Sequence, residues 1–502
     1  MGVIARQSIK GTIVTYLGVA VGFVTTFFVI TRFLTAEEIG LARVLIDAAT
    51  LFIGLAQLGT SSSILRFYPY FVNNQNDEKN NEHGFFFWTL IVPLVGFVLV
   101  GLLFLICYTP LSHWFGEKSP LFVNYYYLVL PLAFFMLYQT IFETNANVRM
   151  RIVVPRAVRE LLTRVGLLVV YLLYAFGRLT MDGFVWSLVG VYILAALCNG
   201  AYMFSLGGIS LKPDFVFLKQ NPAIVRKYLS YTAFLVLSAV VSVLAPTLSS
   251  FFITAEMGLN YTGIFAIATY IAMMVSIPYR SLTAIASPQL SLAIKQGDKE
   301  QTGILLAQVG GNLLLIGGLL LAAIWVNIDL IFTILPNGEI YAVAQRTILL
   351  LGIGQLFVAT FQFVVTALSY SRYYPFSLLF SFVLTITALL LNNWFIPRWG
   401  MDGAALATLL SQVSYYVVVL LTVRLTLQCR LFTRRHLLTI LLLVFLFAAN
   451  ELCIHLLPEM NIWISSLLRS LLIVAAAWIA YRLQISPELN NQLYALLHRV
   501  RL

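Results

Sequence analysis

Charge is scarce in this chain. Only 10% of its 502 residues are Asp, Glu, Lys or Arg, against about 25% in soluble proteins, which is too little polar surface to meet water around one core. Histidine and cysteine are scarcer still, at five and four residues. Cys107, Cys198, Cys429 and Cys453 lie far apart, which argues against a disulfide framework and a thiolate metal site. His83, His113, His436, His455 and His498 form no cluster of ligands or bases. A G-x-x-x-x-G-K-S/T phosphate loop and a G-x-S-x-G nucleophile elbow are both missing. The expectation is a protein with no metal, no cofactor and no catalytic residues, hence not an enzyme.

What the chain has in excess is apolar sequence: 60% hydrophobic residues and a mean hydropathy of +0.91. Crossing the hydrocarbon layer, roughly 30 Å thick, takes a helix of about 20 apolar residues. Fourteen such spans are expected, at 12–34, 39–59, 85–108, 122–144, 158–177, 183–206, 231–254, 261–285, 303–326, 340–368, 374–396, 402–424, 437–457 and 461–482. Barrel strands would alternate apolar and polar residues over about ten positions; Leu313–Trp325 and Leu437–Phe447 are apolar throughout. The predicted fold class is therefore an all-α integral membrane protein. The first span follows Arg6 and Lys10 but carries no small-residue cleavage motif, so it reads as a retained helix.

The net charge of +11 is unevenly distributed. With the amino terminus placed inside, 24 of the 31 Lys and Arg fall on inner loops and five on outer loops (Arg32, Lys118, Arg178, Arg346, Arg398), while Arg43 and Arg469 lie within spans. That bias is the positive-inside pattern. It predicts both termini in the cytoplasm, and it accounts for the basic charge by membrane lipid headgroups, with no nucleic acid partner.

A weak internal repeat runs through the chain. Met181-Asp182-Gly183 opens span six and Met401-Asp402-Gly403 opens span twelve, 220 residues later. Gly40, near the start of span two, and Gly263, near the start of span eight, are 223 apart. The repeat predicts two like-oriented six-helix lobes in a pseudo-twofold arrangement, an organisation typical of secondary transporters. The expected boundaries are an N-terminal lobe (1–206), a cytoplasmic linker (207–230), a C-terminal lobe (231–424), a hairpin of spans 13 and 14 (425–484) and an amphipathic tail (485–502).

Ionisable residues within or at the ends of spans are the candidates for function, since each costs about 2.5–3.5 kcal/mol at mid-membrane on insertion scales unless paired or wetted. Arg43 and Asp47 stand one turn apart, as an ion pair or as part of a cavity wall. Arg32 and Arg280 end spans one and eight, either snorkelling or facing a cavity. Glu143, with Asn145 and Asn147, closes span four, either as a wet inner end or as a cavity-facing candidate, and Glu451 and Arg469 are expected to pair within the hairpin. Prolines 93, 131, 246, 278 and 375 fall in spans, with Pro246 and Pro278 the candidate hinges.

Three stretches carry a family resemblance. Phe33-Leu34-Thr35-Ala36-Glu37-Glu38-Ile39-Gly40-Leu41 with Leu55-Ala56-Gln57-Leu58-Gly59 and Ile64-Leu65-Arg66-Phe67, then Pro288-Gln289-Leu290-Ser291 with Lys295-Gln296-Gly297-Asp298-Lys299-Glu300, and finally Gly338-Glu339-Ile340-Tyr341, resemble segments of bacterial polysaccharide flippases. These belong to the multidrug/oligosaccharidyl-lipid/polysaccharide (MOP) exporter superfamily. The resemblance implies alternating access in a bacterial inner membrane, moving a lipid-linked oligosaccharide for O-antigen or similar surface polysaccharide. It also implies a proton or sodium as coupling ion, polysaccharide-assembly proteins as partners, and Arg32, Arg43 and Arg280 as cavity residues. Span seven departs from the family pattern by carrying no Lys or Arg in its apolar part. The alternative is a cation-coupled multidrug exporter of the same superfamily.

Overall fold

The computed structural model describes residues 3–71, 82–207, 209–222, 246–373, 375–429, 433–456 and 461–487, with a few single positions between them. All regular structure among the described residues is helical. Among the described residues, eleven helices are long and apolar enough to cross a membrane, against the fourteen expected along the whole chain. Helix Pro375–Thr426 runs 52 residues because two helices join at Gly400, whose φ of 56° and ψ of −132° are not helical. Span five is broken into Val153–Ala157, a π turn at Val158–Leu162 and Thr163–Ala175. Much of expected span seven, like much of the expected tail, lies outside the described residues.

The chain divides into two compact units, Met1–Gly263 and Ile264–Leu502. In the first, α1 (Val3–Val24) continues through a π turn at Thr25–Ile30. Helix α2 (Ala36–Ala56) starts from a complete capping box: Thr35 accepts from the Glu38 N–H, and the Glu38 carboxylate accepts from the Thr35 N–H at 2.8 Å. The same carboxylate accepts the hydroxyl of Tyr174 from the end of span five. Helices α3 (Phe85–Ile106), α4 (Val129–Val148), α5 (Thr163–Ala175) and α6 (Met181–Ser205) complete the unit. Leu41, Leu45 and Phe52 of α2, Leu137 and Ile141 of α4, and Phe184 and Leu188 of α6 are buried.

Lipid tails are as apolar as leucine, so helices in a bilayer associate through close backbone approach and polar contacts more than through water exclusion. Helix α7 (Leu259–Met273) begins in this unit, and its first turn crosses the first turn of α2. A Cβ on Gly40 would collide with the Leu259 carbonyl oxygen, and one on Gly263 would collide with the Ala36 carbonyl oxygen. The contact is reciprocal: residue 36 stands to 263 as 259 stands to 40. The two glycines matched in the sequence are therefore neighbours in space.

In the second unit, α8 (Ile277–Gln296) follows a 3₁₀ turn at Met274–Ser276, so the helical ladder is interrupted where Pro278 enters. Helix α9 (Lys299–Val326) packs on α10 (Gln345–Tyr370), α12 (Arg434–Leu456) and α13 (Ile462–Arg482); α10 packs on α11 (Pro375–Thr426). Pro375 is not within a helix but at its first position, where the missing N–H has no bond to lose. Pro246 is helical and exposed. The Met-Asp-Gly repeat has a physical counterpart in each unit. Asp182 accepts the Tyr125 hydroxyl at 2.5 Å, and Asp402 accepts the Thr347 hydroxyl at 2.6 Å.

Gly40→Val is expected to force the α2–α7 crossing apart and lower the melting temperature of the detergent-purified protein, since overpacking typically costs about 1–3 kcal/mol. Gly263→Val should do the same, and the double variant should lose less than the sum of the two. Either single variant melting like the wild type would remove the crossing from the stability argument.

Candidate functional site

The first unit holds three sets of internal charges. On α2 the Arg43 Nε donates to Asp47 Oδ2 at 2.8 Å, with the side chains 24% and 10% exposed. The i,i+4 spacing predicted this pair, and burial makes it more than a surface contact. The Arg32 side chain is exposed, with the guanidinium 5.5 Å from the Phe33 ring.

A second set links spans four, five and one. Glu143 accepts from Arg159 at 2.9 Å, Arg159 lies 3.4 Å from Glu160, and Glu160 accepts from Arg164 at 3.0 Å. The Arg164 Nη1 then donates to the Gly18 carbonyl at 2.9 Å. Gly18 and Gly22 admit this arrangement: a Cβ on Gly18 would strike the Glu160 backbone, and one on Gly22 the Arg164 guanidinium. Both strands of the contact lie beside π turns, at 25–30 and 158–162. Such turns leave the regular bonding ladder and often occur at functional positions. The sequence reading placed Arg159 and Arg164 among inner-loop cations and missed the chain. Its visible signal was the Gly18-x-x-x-Gly22 spacing together with Glu160 and Arg164 four apart.

The third set anchors the segment before α3. Arg149 holds Glu82 through Nε at 3.0 Å and Nη2 at 2.5 and 2.6 Å, and Tyr68 donates to the same carboxylate at 3.2 Å. Glu82 is 3% exposed. Beside it, His83 Nδ1 lies 3.0 Å from the Asp214 carboxylate, fixing residues of the expected linker onto this segment. Asn145, one turn from Arg149, donates to Thr89 at 3.2 Å and to the Ile141 carbonyl at 2.9 Å.

In the second unit, Arg280 is exposed on α8. The expected Glu451–Arg469 pair is not formed. Arg469, 4% exposed, faces Asp329 at 3.8 Å, and Glu451 accepts the Trp325 indole N–H at 3.2 Å. Expecting the hairpin to satisfy itself overlooked α9 and the turn after it, which supply both partners. No group of three or more His, Cys, Asp or Glu able to hold a metal occurs among the described residues.

These features define a class: a multi-pass helical membrane protein whose charges are paired within the bundle. The chain belongs to the polysaccharide biosynthesis protein family, whose model matches residues 4–291. Its fold is shared with solved membrane transporters. It resembles lipid II flippase MurJ in an inward closed conformation with a TM-score of 0.67, at 13% identity over 94% of this chain and 99% of that one. It also resembles inward-facing and outward-facing structures of a multidrug resistance MATE family transporter. Their TM-scores are 0.63 and 0.58, at 15% and 14% identity, over 85% of this chain and 98% and 95% of theirs. No curated protein sequence matches the chain.

Arg149→Ala is expected to destabilise the protein by about 3–5 kcal/mol, because it strands the Glu82 carboxylate without its counter-charge. The double variant Glu82→Gln/Arg149→Met should recover most of that loss. Thermal unfolding of the purified variants checks this, and a single variant as stable as the wild type would contradict it.

Proposed function

We propose that this protein moves a lipid-linked oligosaccharide, carried on a polyprenyl diphosphate, from the cytoplasmic to the outer leaflet of a bacterial inner membrane by alternating access, for surface polysaccharide assembly. The observation that carries the reading is membership of the polysaccharide biosynthesis family over residues 4–291 in a chain with a transporter fold. Sugar hydroxyls and a diphosphate cannot enter hydrocarbon without losing their hydrogen bonds, so such a cargo needs a polar route through protein.

Arg43, Arg280 and Arg32 are the proposed contacts for the cargo's phosphates. They differ in what binding would require. Arg280 and Arg32 are exposed, so a phosphate can reach both guanidinium groups from solvent. Arg43 is engaged by Asp47 at 2.8 Å, so a phosphate must share or displace that carboxylate. Pro278, beside the 3₁₀ interruption, is the better supported of the two hinge candidates.

The likeness to multidrug transporters favours a second reading, cation-coupled export of small molecules. The Arg43–Asp47 pair weighs against it, because the buried carboxylate that would take the coupling cation already has an internal one. Deleting the gene in its native host separates the readings. The flippase predicts lipid-linked oligosaccharide accumulating on the cytoplasmic leaflet with loss of surface polysaccharide, restored by the intact gene. Unchanged polysaccharide with altered sensitivity to cationic drugs would replace it with the exporter.

Among variants, Arg280→Ala is expected to cut surface polysaccharide severalfold while leaving melting temperature and membrane expression unchanged. Arg43→Ala should lower both transport and stability, since it leaves Asp47 unpaired. Wild-type polysaccharide in both variants at native expression would remove these residues from the transport path.

A further inference from the structure

A polar cavity in the second unit lies outside everything described above. It sits between α9 and the start of α12, has a volume of about 50 Å³, and is lined by Gln308, Asn312, Thr433, Arg435 and Thr439, with Ala307 and Gly311 providing the space. That is room for several water molecules. Two observations indicate that it takes a ligand. Gln308 makes no hydrogen bond among the described residues, although it stands in a helix otherwise apolar enough to cross a membrane. Asn312 uses its carbonyl oxygen to accept from Ser486 at 2.6 Å, and its amide nitrogen has no partner among the described residues.

The sign of the ligand follows from the lining. Two side-chain amides and a guanidinium can donate into the cavity, the Thr439 hydroxyl donates to the Arg435 carbonyl and that of Thr433 is engaged by His436, and no carboxylate is in the lining. The buried His436 is held by Thr433 through its Nδ1 at 2.9 Å and packs against Gly311 of the lining. Ile304, Leu437 and Leu441 on the same two helices are exposed large apolar residues, suited to contact with acyl chains. Arg434, Arg435 and Lys299 place positive charge at this end of the bundle, the end the charge bias assigns to the cytoplasmic leaflet, whose anionic headgroups attract such clusters.

We propose that this cavity binds a phosphate group, donated either by the headgroup of an anionic phospholipid or by free inorganic phosphate, with Arg435, Gln308 and Asn312 as its ligands. The site is separate from the cargo path: occupancy ties the α12–α13 hairpin to α9.

The test uses the full-length protein, purified and delipidated in detergent. Binding of phosphatidylglycerol, phosphatidylcholine and inorganic phosphate is measured by native mass spectrometry and thermal shift. Wild type should bind phosphatidylglycerol in preference to phosphatidylcholine, and Arg435→Gln and Gln308→Leu should each weaken it at least about tenfold, the loss of one charge-assisted hydrogen bond. Arg434→Gln, outside the cavity, should bind as wild type does. Saturation by inorganic phosphate alone, lost in the same two variants, would support the site and assign it to the soluble ion. Binding that survives both substitutions, or no preference for an anionic ligand in a wild type that melts cooperatively, overturns the proposal. Gln308→Leu guards against misfolding as a cause, because it swaps one partnerless amide for a similar apolar volume.

Discussion

A charge inside a membrane-spanning helix has no water to solvate it, and this one constraint arranges most of the polar chemistry in the protein. Among the described residues, four partly or fully buried arginines within the bundle each have a carboxylate supplied by the protein: Asp47 for Arg43, Glu82 for Arg149, Glu160 for Arg164 and Asp329 for Arg469. The pairs differ in reach. Arg43–Asp47 stays within one helix and costs the bundle no freedom. Glu143–Arg159–Glu160–Arg164–Gly18 ties three spans into one network. Such a network resists separation of its helices, because parting them would expose unpaired charge to lipid.

The second organising feature is close approach at glycine. At Gly40 and Gly263 the backbones themselves form the interface, and each glycine lies against the carbonyl four residues before its counterpart. A reciprocal contact of this kind follows when two copies of one helix start meet about a local twofold axis. Gly18 and Gly22 serve a different purpose. They clear room on span one for the Glu160 backbone and the Arg164 guanidinium. In both cases the missing side chain is replaced by a polar group of a neighbouring helix, which suits a solvent that gives no apolar reward for packing.

Much of the architecture was legible in the sequence. Apolar length alone located most spans, and the positions of Asp182 and Asp402 marked equivalent helix starts that turned out to accept equivalent hydroxyls. The Arg43–Asp47 pair was visible because both partners stand on one helix face. The polar contacts that escaped were those depending on which helices become neighbours. Glu451 and Arg469 are level in the hairpin, yet their partners come from Trp325 and Asp329, more than 100 residues earlier in the chain. The π turns at 25–30 and 158–162 escaped for a related reason. An extra residue in a helical turn has no compositional signature and is fixed by tertiary packing.

The hairpin shows how an appended element stays docked in lipid. At the end of α12 and α13 nearer Ile485, contact is apolar: Leu442, Leu446, Ala476, Ala480 and Ile485 cluster with Leu315 and Ala322 of α9. At the other end it is polar, through Asn327 with Ser470 at 3.1 Å, Trp325 with Glu451 and Asp329 with Arg469. Apolar contact alone would compete with lipid tails on nearly equal terms, so the polar end supplies the preference for protein. Asn450 and Ser466 of the hairpin helices are buried, and neither side chain has a hydrogen-bond partner among the described residues. Hydrocarbon would offer them no bond either, so docking against protein costs these groups nothing relative to exposure to lipid tails.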